Sequence, residues 1–316
     1  MTARSAETGL ALYDRAAEAA AHRVIGLYST SFGWASTLLG RRVRGDVRNV
    51  YALVRIADEI VDGPAREAGL SPAEELAALD ELEAETARAV RTGFSANLVV
   101  HAFAGTARRC GIGDDLTAPF FASMRSDALA SAAGVDSAAP RSLDSEAHDA
   151  YVYGSAEVVG LMCLAVFVNA GSTAPGAIPA NLTEGARRLG AAFQDINFLR
   201  DLTTDRDGLG RDYLGLEASA TPAERARAWH DVLDRIDADL AAAARTIPLL
   251  PRDSRRAVTA AAALFAELAK RLRAGGESSE RVRVPNGQKI GILIRALLGR
   301  PLRTSAQATS HEGTHS

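Results

Sequence analysis

The sequence has few residues of several informative types, and each scarcity excludes a class of protein. Its two cysteines, Cys110 and Cys163, cannot form a disulfide framework or a cysteine-based zinc cluster. Aromatic residues make up only 5% of the 316 residues, and alternating strand patterns are absent, which argues against a β-sandwich. The formal charge of −3 leaves no basic surplus, so we expect no nucleic-acid partner.

Long apolar runs are also missing. The longest, residues 158–168, is far shorter than the roughly 20 residues that a membrane-spanning helix needs. The first residues contain no apolar segment of the kind found in secretory signals. The sequence therefore predicts a cytoplasmic protein. Peripheral contact with the inner face of the membrane stays open, because residues 281–300 could form a basic amphipathic surface as well as a packed terminal helix.

Helical periodicity is what the sequence has in abundance. Apolar residues recur with a period of 3.6 and alanine is plentiful, which predicts an all-α protein. We expect one helical domain over residues 1–301 and a disordered tail over residues 302–316. Ser71 and Pro72, followed by Glu74, predict a capped helix start, and residues 131–145 are predicted to be a loop. The predicted helices are residues 10–39, 43–61, 72–92, 95–109, 115–130, 145–170, 182–204, 222–246, 252–274 and 288–298.

Two carboxylates in the second predicted helix extend an apolar face. Asp58 and Asp62 are four residues apart and therefore lie one turn apart on the same side of the helix. Val54 and Arg55 share this side, within an arc of roughly 100°. Taken alone, the pair also fits a solvated helix end next to Gly63. A site therefore requires a second group of polar residues.

That second group lies in the seventh predicted helix. Gln194, Asn197, Asp201 and Asp205 follow spacings of three, four and four residues and span only about 80° of arc. Apolar side chains occupy the rest of the circumference. A narrow polar strip between apolar flanks is typical of a polar-lined cavity inside a helical bundle rather than of an exposed face.

Four inward carboxylates must be protonated, paired with arginine or bound to metal, because burying unpaired charges costs several kcal/mol each. No histidine stands at the spacing of a di-iron or zinc-protease site. All-oxygen ligands favour Mg²⁺, with Mn²⁺ as an alternative, and Mg²⁺ completes its shell with water and substrate phosphates. Arg55 and Arg200 adjoin the two strips and suit phosphate binding. Together these residues predict a metal–diphosphate centre.

Segments spread over about residues 20–300 resemble the head-to-head prenyl synthases, the family of squalene, dehydrosqualene and phytoene synthases, and are most similar to bacterial phytoene synthases. The similar segments are residues 28–32 (YSTSF), 55–62 (RIADEIVD), 151–153 (YVY) with Gly160, 194–205 (QDINFLRDLTTD) and 210–214 (GRDYL). Two positions depart from the family pattern: Thr204 stands where the family usually has Glu, and Tyr28 where some members have His.

The resemblance implies an isoprenoid-synthase helical bundle around a central cavity. It implies a phytoene synthase that joins two geranylgeranyl diphosphates through a cyclopropyl diphosphate in carotenoid biosynthesis. The residues implied to bind Mg²⁺ are Asp58, Asp62, Asn197, Asp201 and Asp205. Those implied to bind substrate are Ser29, Ser31, Phe32, Arg55, Gln194, Asn197 and Arg200. The implied catalytic residues are Asp58, Asp62, Asp201, Asp205 and Tyr153, with Tyr153 near the reacting carbons.

Two other functions compete with this one. A dehydrosqualene or squalene synthase would use the shorter farnesyl diphosphate, and squalene formation would also need NADPH. We expect no NADPH because no Gly-x-Gly-x-x-Gly follows a strand, although squalene synthases lack that fold too. The small residues Gly33, Ala35 and Ser36 predict a long pocket and favour the C20 substrate. A non-catalytic scaffold of the same fold is the other alternative, but it would have no need of four inward acids.

Overall fold

The computed structural model describes residues 8–28, 35–134, 141–142, 145–209, 211–212, 214 and 221–275, with 284, 292 and 296. Helices dominate this part of the chain, which confirms the all-α prediction. They are α1 (Gly9–Tyr28), α2 (Arg41–Val61), α3 (Pro64–Glu67), α4 (Pro72–Thr92), α5 (Leu98–Cys110), α6 (Asp114–Gly134), α7 (Ser145–Val152), α8 (Val158–Asn169), α9 (Ala180–Leu209), α10 (Pro222–Thr246) and α11 (Arg252–Gly275). A π-helical turn, Tyr153–Glu157, joins α7 to α8, and a 3₁₀ turn, Ile247–Leu249, follows α10.

The predicted start of α4 is confirmed. The Ser71 side chain accepts a hydrogen bond from the Glu74 backbone N–H, and the Glu74 carboxylate accepts one from the Ser71 N–H at 2.8 Å. Pro72 occupies the first turn, where its missing N–H costs nothing. The helix ends at Gly93, whose φ of 82° places it in the left-handed region that favours glycine. Local chemistry alone determines these two ends.

The predicted helix over residues 10–39 is wrong at its C-terminal end, while residues 29–34 lie outside the described residues and 35 and 36 are helical. Helix α1 ends at Tyr28, and residues 37–39 form a turn before α2. A Cβ on Gly40 would lie 2.5 Å from the Cβ of Asp253, and the Gly40 N–H donates to the Asp253 carbonyl at 2.7 Å. This contact with the start of α11 determines where α2 begins, and periodicity within residues 10–39 carries no information about it.

Two further differences concern the middle of the chain, and two predictions near its end lie largely outside the described residues. Helix α6 extends to Gly134, into the predicted loop. Strands β1 (Arg141–Ser142) and β2 (Arg211–Asp212) pair in parallel, although no strand was predicted. The predicted helix over residues 288–298 lies outside the described residues except at 292 and 296, which are both helical. The predicted tail over residues 302–316 also lies outside them.

Apolar side chains from helices distant in sequence form the core. The largest buried cluster joins α2, α4, α5, α6 and α8 and includes Leu53, Phe103, Phe121 and Met162. A second cluster joins α9, α10 and α11 around Ile236. Helix α1 packs through alanines, whose small side chains allow a close approach between helix axes.

The helical stretch Glu146–Asn169 runs through α7, the π-turn and α8. By length and composition alone it is apolar enough to cross a membrane, with a mean hydropathy of 1.8. More than half of it is buried inside the protein. Helices α2, α6 and α9 pack against it, so its hydropathy matches its position inside the bundle.

Candidate active site

The first acidic strip lies at the C-terminal end of α2, as predicted. Asp58 is half-buried, but Asp62 is exposed rather than inward as predicted, because it follows the last residue of the helix. Burial raises the pKa of Asp58 to about 8, and the negative charges of Asp62 and Asp127 contribute to the increase. Arg55 opposes it without cancelling it. The structure therefore brings these side chains together in surroundings that favour the protonated form of Asp58.

Arg55 links this strip to the end of α1. Its Nη1 lies 3.9 Å from Asp58 Oδ2, and its Nη2 donates to the Glu59 carboxylate. Its guanidinium carbon lies 4.6 Å from the centre of the Tyr28 ring, a cation–π contact. The Nε of Arg55 is buried and has no hydrogen-bond partner among the described residues. A buried donor of this kind suits an arriving anion.

Asp127 is a site residue to which sequence reasoning assigned no role. Its side chain is buried on α6, and the Tyr151 hydroxyl donates to its Oδ2 at 2.7 Å. Its charge contributes to the raised pKa of Asp58. It belongs to neither polar strip and to none of the family-like segments. Its proximity to Asp58 depends on how α6 packs against α2, which helical periodicity does not give.

The second strip lies on α9. Gln194, Asn197 and Asp201 are half-buried, whereas Ile196 and Leu199 on the other faces are buried. This agrees with the predicted polar strip between apolar flanks. The Nε of Arg200 donates to Asp201 Oδ1 at 3.1 Å, so this predicted diphosphate ligand is paired within the strip. The side chain of Asp205 lies outside the described residues, as do Ser29, Ser31 and Phe32.

A buried polar cluster fixes the rotation of α9. Asp195, next to Gln194 in sequence, points away from the strip and is almost fully buried. Its carboxylate lies 3.1 Å from the Nε2 of His148 on α7 and accepts a hydrogen bond of 2.9 Å from the Nε of Arg235 on α10. Because both carboxylate oxygens have partners on neighbouring helices, α9 cannot rotate without breaking these contacts.

Tyr153 begins the π-turn between α7 and α8. The Arg187 guanidinium of α9 lies 5.3 Å from the centre of its ring, and Arg187 also donates to Glu157 at 2.6 Å. The next residue, Gly154, has no room for a side chain, because a Cβ would lie 2.4 Å from the Pro119 carbonyl oxygen. π-turns are frequent at functional sites. The proximity of Tyr153 to reacting carbons stays a prediction.

An apolar cavity adjoins both strips. Its empty volume is about 1140 Å³, part of it open to solvent. On α2 its wall includes Val54, one turn before Asp58, and on α9 it includes Phe193, one turn before Asn197. Ser36 and Ala35, two of the small residues from which a long pocket is predicted, are buried and line the cavity. Each polar strip thus continues from the cavity wall toward the C-terminal end of its helix.

The donors present fit a divalent cation at the first strip. Asp58 and Asp62 offer carboxylate oxygens one turn apart, and Arg55 offsets only part of the effects of burial and of neighbouring acids on the pKa of Asp58. In the part of the chain that the structure describes, no three His, Cys, Asp or Glu side chains lie together as a metal site. The five-residue metal set therefore stays a prediction, since Asn197 is outside that count and the Asp205 side chain is not described.

Comparisons with known proteins agree on one family. A family model for squalene/phytoene synthase matches residues 25–288. No curated protein sequence matches the chain significantly.

Solved structures share the fold. A dehydrosqualene synthase in complex with ligand has a TM-score of 0.73 and 22% identity, over 91% of this chain and 98% of that one. Squalene synthase HpnC from Alicyclobacillus acidocaldarius has a TM-score of 0.68 and 20% identity, over 84% of this chain and 95% of that one. YisP from Bacillus subtilis has a TM-score of 0.62 and 16% identity, over 92% of this chain and 99% of that one.

Proposed function

Because the chain belongs to the squalene/phytoene synthase family, whose reaction is head-to-head prenyl condensation, we propose that it is a phytoene synthase that joins two geranylgeranyl diphosphates. The observation that carries the choice of a C20 substrate is the apolar cavity next to both polar strips. Ala35, Ser36 and Gly160 line it, and such small side chains leave room for a long prenyl tail.

Mg²⁺ would be bound by Asp58 and Asp62 and by Asn197, Asp201 and Asp205, where it would act as a Lewis acid on the leaving diphosphate. Arginines must balance much of the remaining negative charge, because two diphosphates and four carboxylates carry about −10. Arg55 has a buried Nε ready to donate to a phosphate oxygen. Arg200 lies beside Asp201 and would serve the second diphosphate.

The apolar wall of the cavity would exclude water from the reacting carbons. Loss of diphosphate from one substrate leaves an allylic carbocation, which water would quench. Attack by the double bond of the second substrate and loss of a proton give a cyclopropyl diphosphate. A second ionisation, a rearrangement and loss of another proton give the central triene of phytoene. Val54, Val159 and Phe193 belong to this wall and offer no nucleophile to the cation.

Product analysis with defined substrates tests the proposal. The protein would be incubated with geranylgeranyl diphosphate and Mg²⁺, with and without NADPH, and in parallel with farnesyl diphosphate. We expect a C40 triene from the C20 substrate and no dependence on NADPH. Consumption of farnesyl diphosphate alone would identify a dehydrosqualene or squalene synthase instead, and no turnover of either substrate would favour the scaffold.

Two substitutions test the acidic strips. Asp58→Ala and Asp201→Ala should each abolish turnover, because each removes a carboxylate from a strip, while the helical content measured by circular dichroism stays unchanged. Asp231→Ala changes an exposed acid on α10 and serves as the control, with wild-type turnover expected. Near-normal rates in either strip variant would contradict its assignment.

A further inference from the structure

Arg48 lies on the same side of α2 as the first acidic strip. It precedes Arg55 by seven residues, or about two turns and 10 Å along the helix axis. At 100° per residue, the directions of Arg48 and Arg55 differ by only about 20°. The cavity-lining Val54 lies on the opposite edge of the strip. Arg48 thus faces the same side of α2 as the carboxylates, about 15 Å from Asp58 along the helix axis, and lies on the edge away from the apolar wall.

The guanidinium of Arg48 is half-buried and lacks a counter-charge among the described residues. Its Nε is buried without a hydrogen-bond partner there. Burial lowers the pKa of Arg48, and the neighbouring cation Arg44 lowers it further, with no described carboxylate opposing either effect.

Two other arginines on this side of α2 already have partners. Arg44 donates to the backbone carbonyls of Thr37 and Leu39 and so stabilises the turn before the helix. Arg55 contacts carboxylates of the strip. Arg48 differs from both, because its cation is held against the protein next to another cation.

Such an arrangement is costly in the free protein. A partly buried charge without a partner loses hydration and gains no hydrogen bond in return. An anion that arrives with the substrate would supply the missing partner. Because Arg48 and Arg55 each hold a buried unpartnered Nε and are two turns apart, an anion between them could accept from both.

We propose that Arg48 is a substrate-binding residue that, together with Arg55, holds the diphosphate of the prenyl substrate at the first acidic strip. This inference rests on the proposed function, because it takes the ligand to be a diphosphate. It adds to the predicted set a residue that neither the polar strips nor the family-like segments indicated.

Calorimetric titration of the full-length protein with inorganic diphosphate in excess Mg²⁺ tests the proposal directly. Arg48→Met keeps much of the apolar stem and removes the charge, so we expect binding to weaken about tenfold to a hundredfold. Arg48→Lys keeps the charge but loses the planar fork, and should fall between Arg48→Met and the wild type. The same order is expected with a non-hydrolysable thiolo analogue of geranylgeranyl diphosphate.

The melting temperature without ligand separates this role from a structural one. Removing an unpartnered charge should leave the melting temperature of Arg48→Met unchanged or higher, whereas a structural arginine would lower it. Arg91→Met, at the exposed C-terminal end of α4, is the control for loss of one positive charge and should bind diphosphate like the wild type.

Two results would overturn the inference while leaving the proposed function intact: equal binding by Arg48→Met and the wild type, or equal weakening by Arg91→Met. Failure of the wild type itself to bind inorganic diphosphate with Mg²⁺ would overturn the proposed function as well. A combination of two other results would also count against the role. These are a lowered melting temperature of Arg48→Met and diphosphate binding by Arg48→Lys that is no tighter than that of Arg48→Met.

Discussion

The Asp58 carboxyl lies in surroundings that favour its protonated form. Burial, Asp62 and Asp127 all raise its pKa, to about 8, and Arg55 compensates only in part. In water the same group would ionise near pH 4. A divalent cation would reverse this balance by stabilising the ionised form, so protons and Mg²⁺ compete for the carboxyl.

This competition predicts a pH-dependent stability of the metal-free protein. The folded-state pKa of Asp58 is above the unfolded value of 3.8, so the folded protein binds this proton more tightly. The resulting stabilisation is complete below about pH 4 and is lost as the pH rises toward 8. The Asp58→Asn variant has no ionisable group at this position. The difference between its free energy of unfolding and that of the wild type should therefore increase from pH 4 to pH 8, as measured by urea denaturation with chelator.

The exposed acid Asp231 provides the control for this measurement. Asp231→Asn should keep a constant difference from the wild type over the same pH range. A constant difference for Asp58→Asn as well would show that the Asp58 carboxyl has an ordinary pKa in the folded protein. Excess Mg²⁺ should reduce this pH-dependent increase for Asp58→Asn, since only the wild-type carboxylate can bind the cation and be stabilised by it.

Individual site residues differ in how far the sequence predicts them. The sequence predicts that Asp58 and Asp62 lie together, because they are four residues apart on one helix. It does not predict the position of Asp127, whose approach to Asp58 requires α6 to pack against α2. Arg48 shares the face of Asp58, yet periodicity cannot reveal that its guanidinium lacks a partner among the described residues, which is a property of the packed structure.

Helix α9 approaches the π-turn and α8 closely enough to exclude side chains at two positions. A Cβ on Gly190 would lie 2.8 Å from the Ala156 carbonyl oxygen, and one on Gly160 would lie 2.9 Å from that of Ala186. These contacts hold α9, with its polar strip, against the wall of the cavity. The resemblance singled out Gly160, and the structure supplies the physical reason for it.

Gly190→Ala should therefore destabilise the protein, although alanine is the better helix former. The added methyl group meets backbone that cannot move alone, and such overpacking costs about 1–3 kcal/mol. A Cβ added to Gly45, inside α2, would have no described atom of another element within 4 Å, so Gly45→Ala should stabilise by about 0.5–1 kcal/mol. Urea denaturation measures both, and a stabilising Gly190→Ala would contradict the close approach.

The sequence predicts helix ends well where the signals are local and poorly where they are tertiary. The start of α4 needs only Ser71, Pro72 and Glu74, all within one turn. The break before α2 depends on Gly40 packing against Asp253, which is remote in sequence. Within the π-turn, Gly154 packs against the Pro119 carbonyl of α6, which is also remote in sequence. Helical periodicity continues through both places, so it could not indicate either feature.

The cavity is a property of the whole molecule. Its wall draws on α2, the π-turn, α8, α9 and α11, with Val47 and Ala257 at distant positions in the chain. The strip on α9 predicts a polar-lined cavity, whereas the cavity described here has an apolar wall and lies next to the strip. The size of the cavity depends on every helix contact around it, so only the small residues near Ser36 hinted at its length.

Narrowing this cavity should change the preferred chain length of the substrate. Ser36 is buried and lines the wall, so Ser36→Phe would fill space that the last isoprene unit of a C20 tail needs. We expect the ratio of kcat/KM for geranylgeranyl over farnesyl diphosphate to fall at least about tenfold, since each group excluded from an apolar pocket is worth about 1–3 kcal/mol. Ser172→Phe, in the exposed loop after α8, should leave the ratio unchanged. An unchanged ratio in Ser36→Phe, with the protein folded, would place the tail elsewhere and remove the support for the C20 assignment.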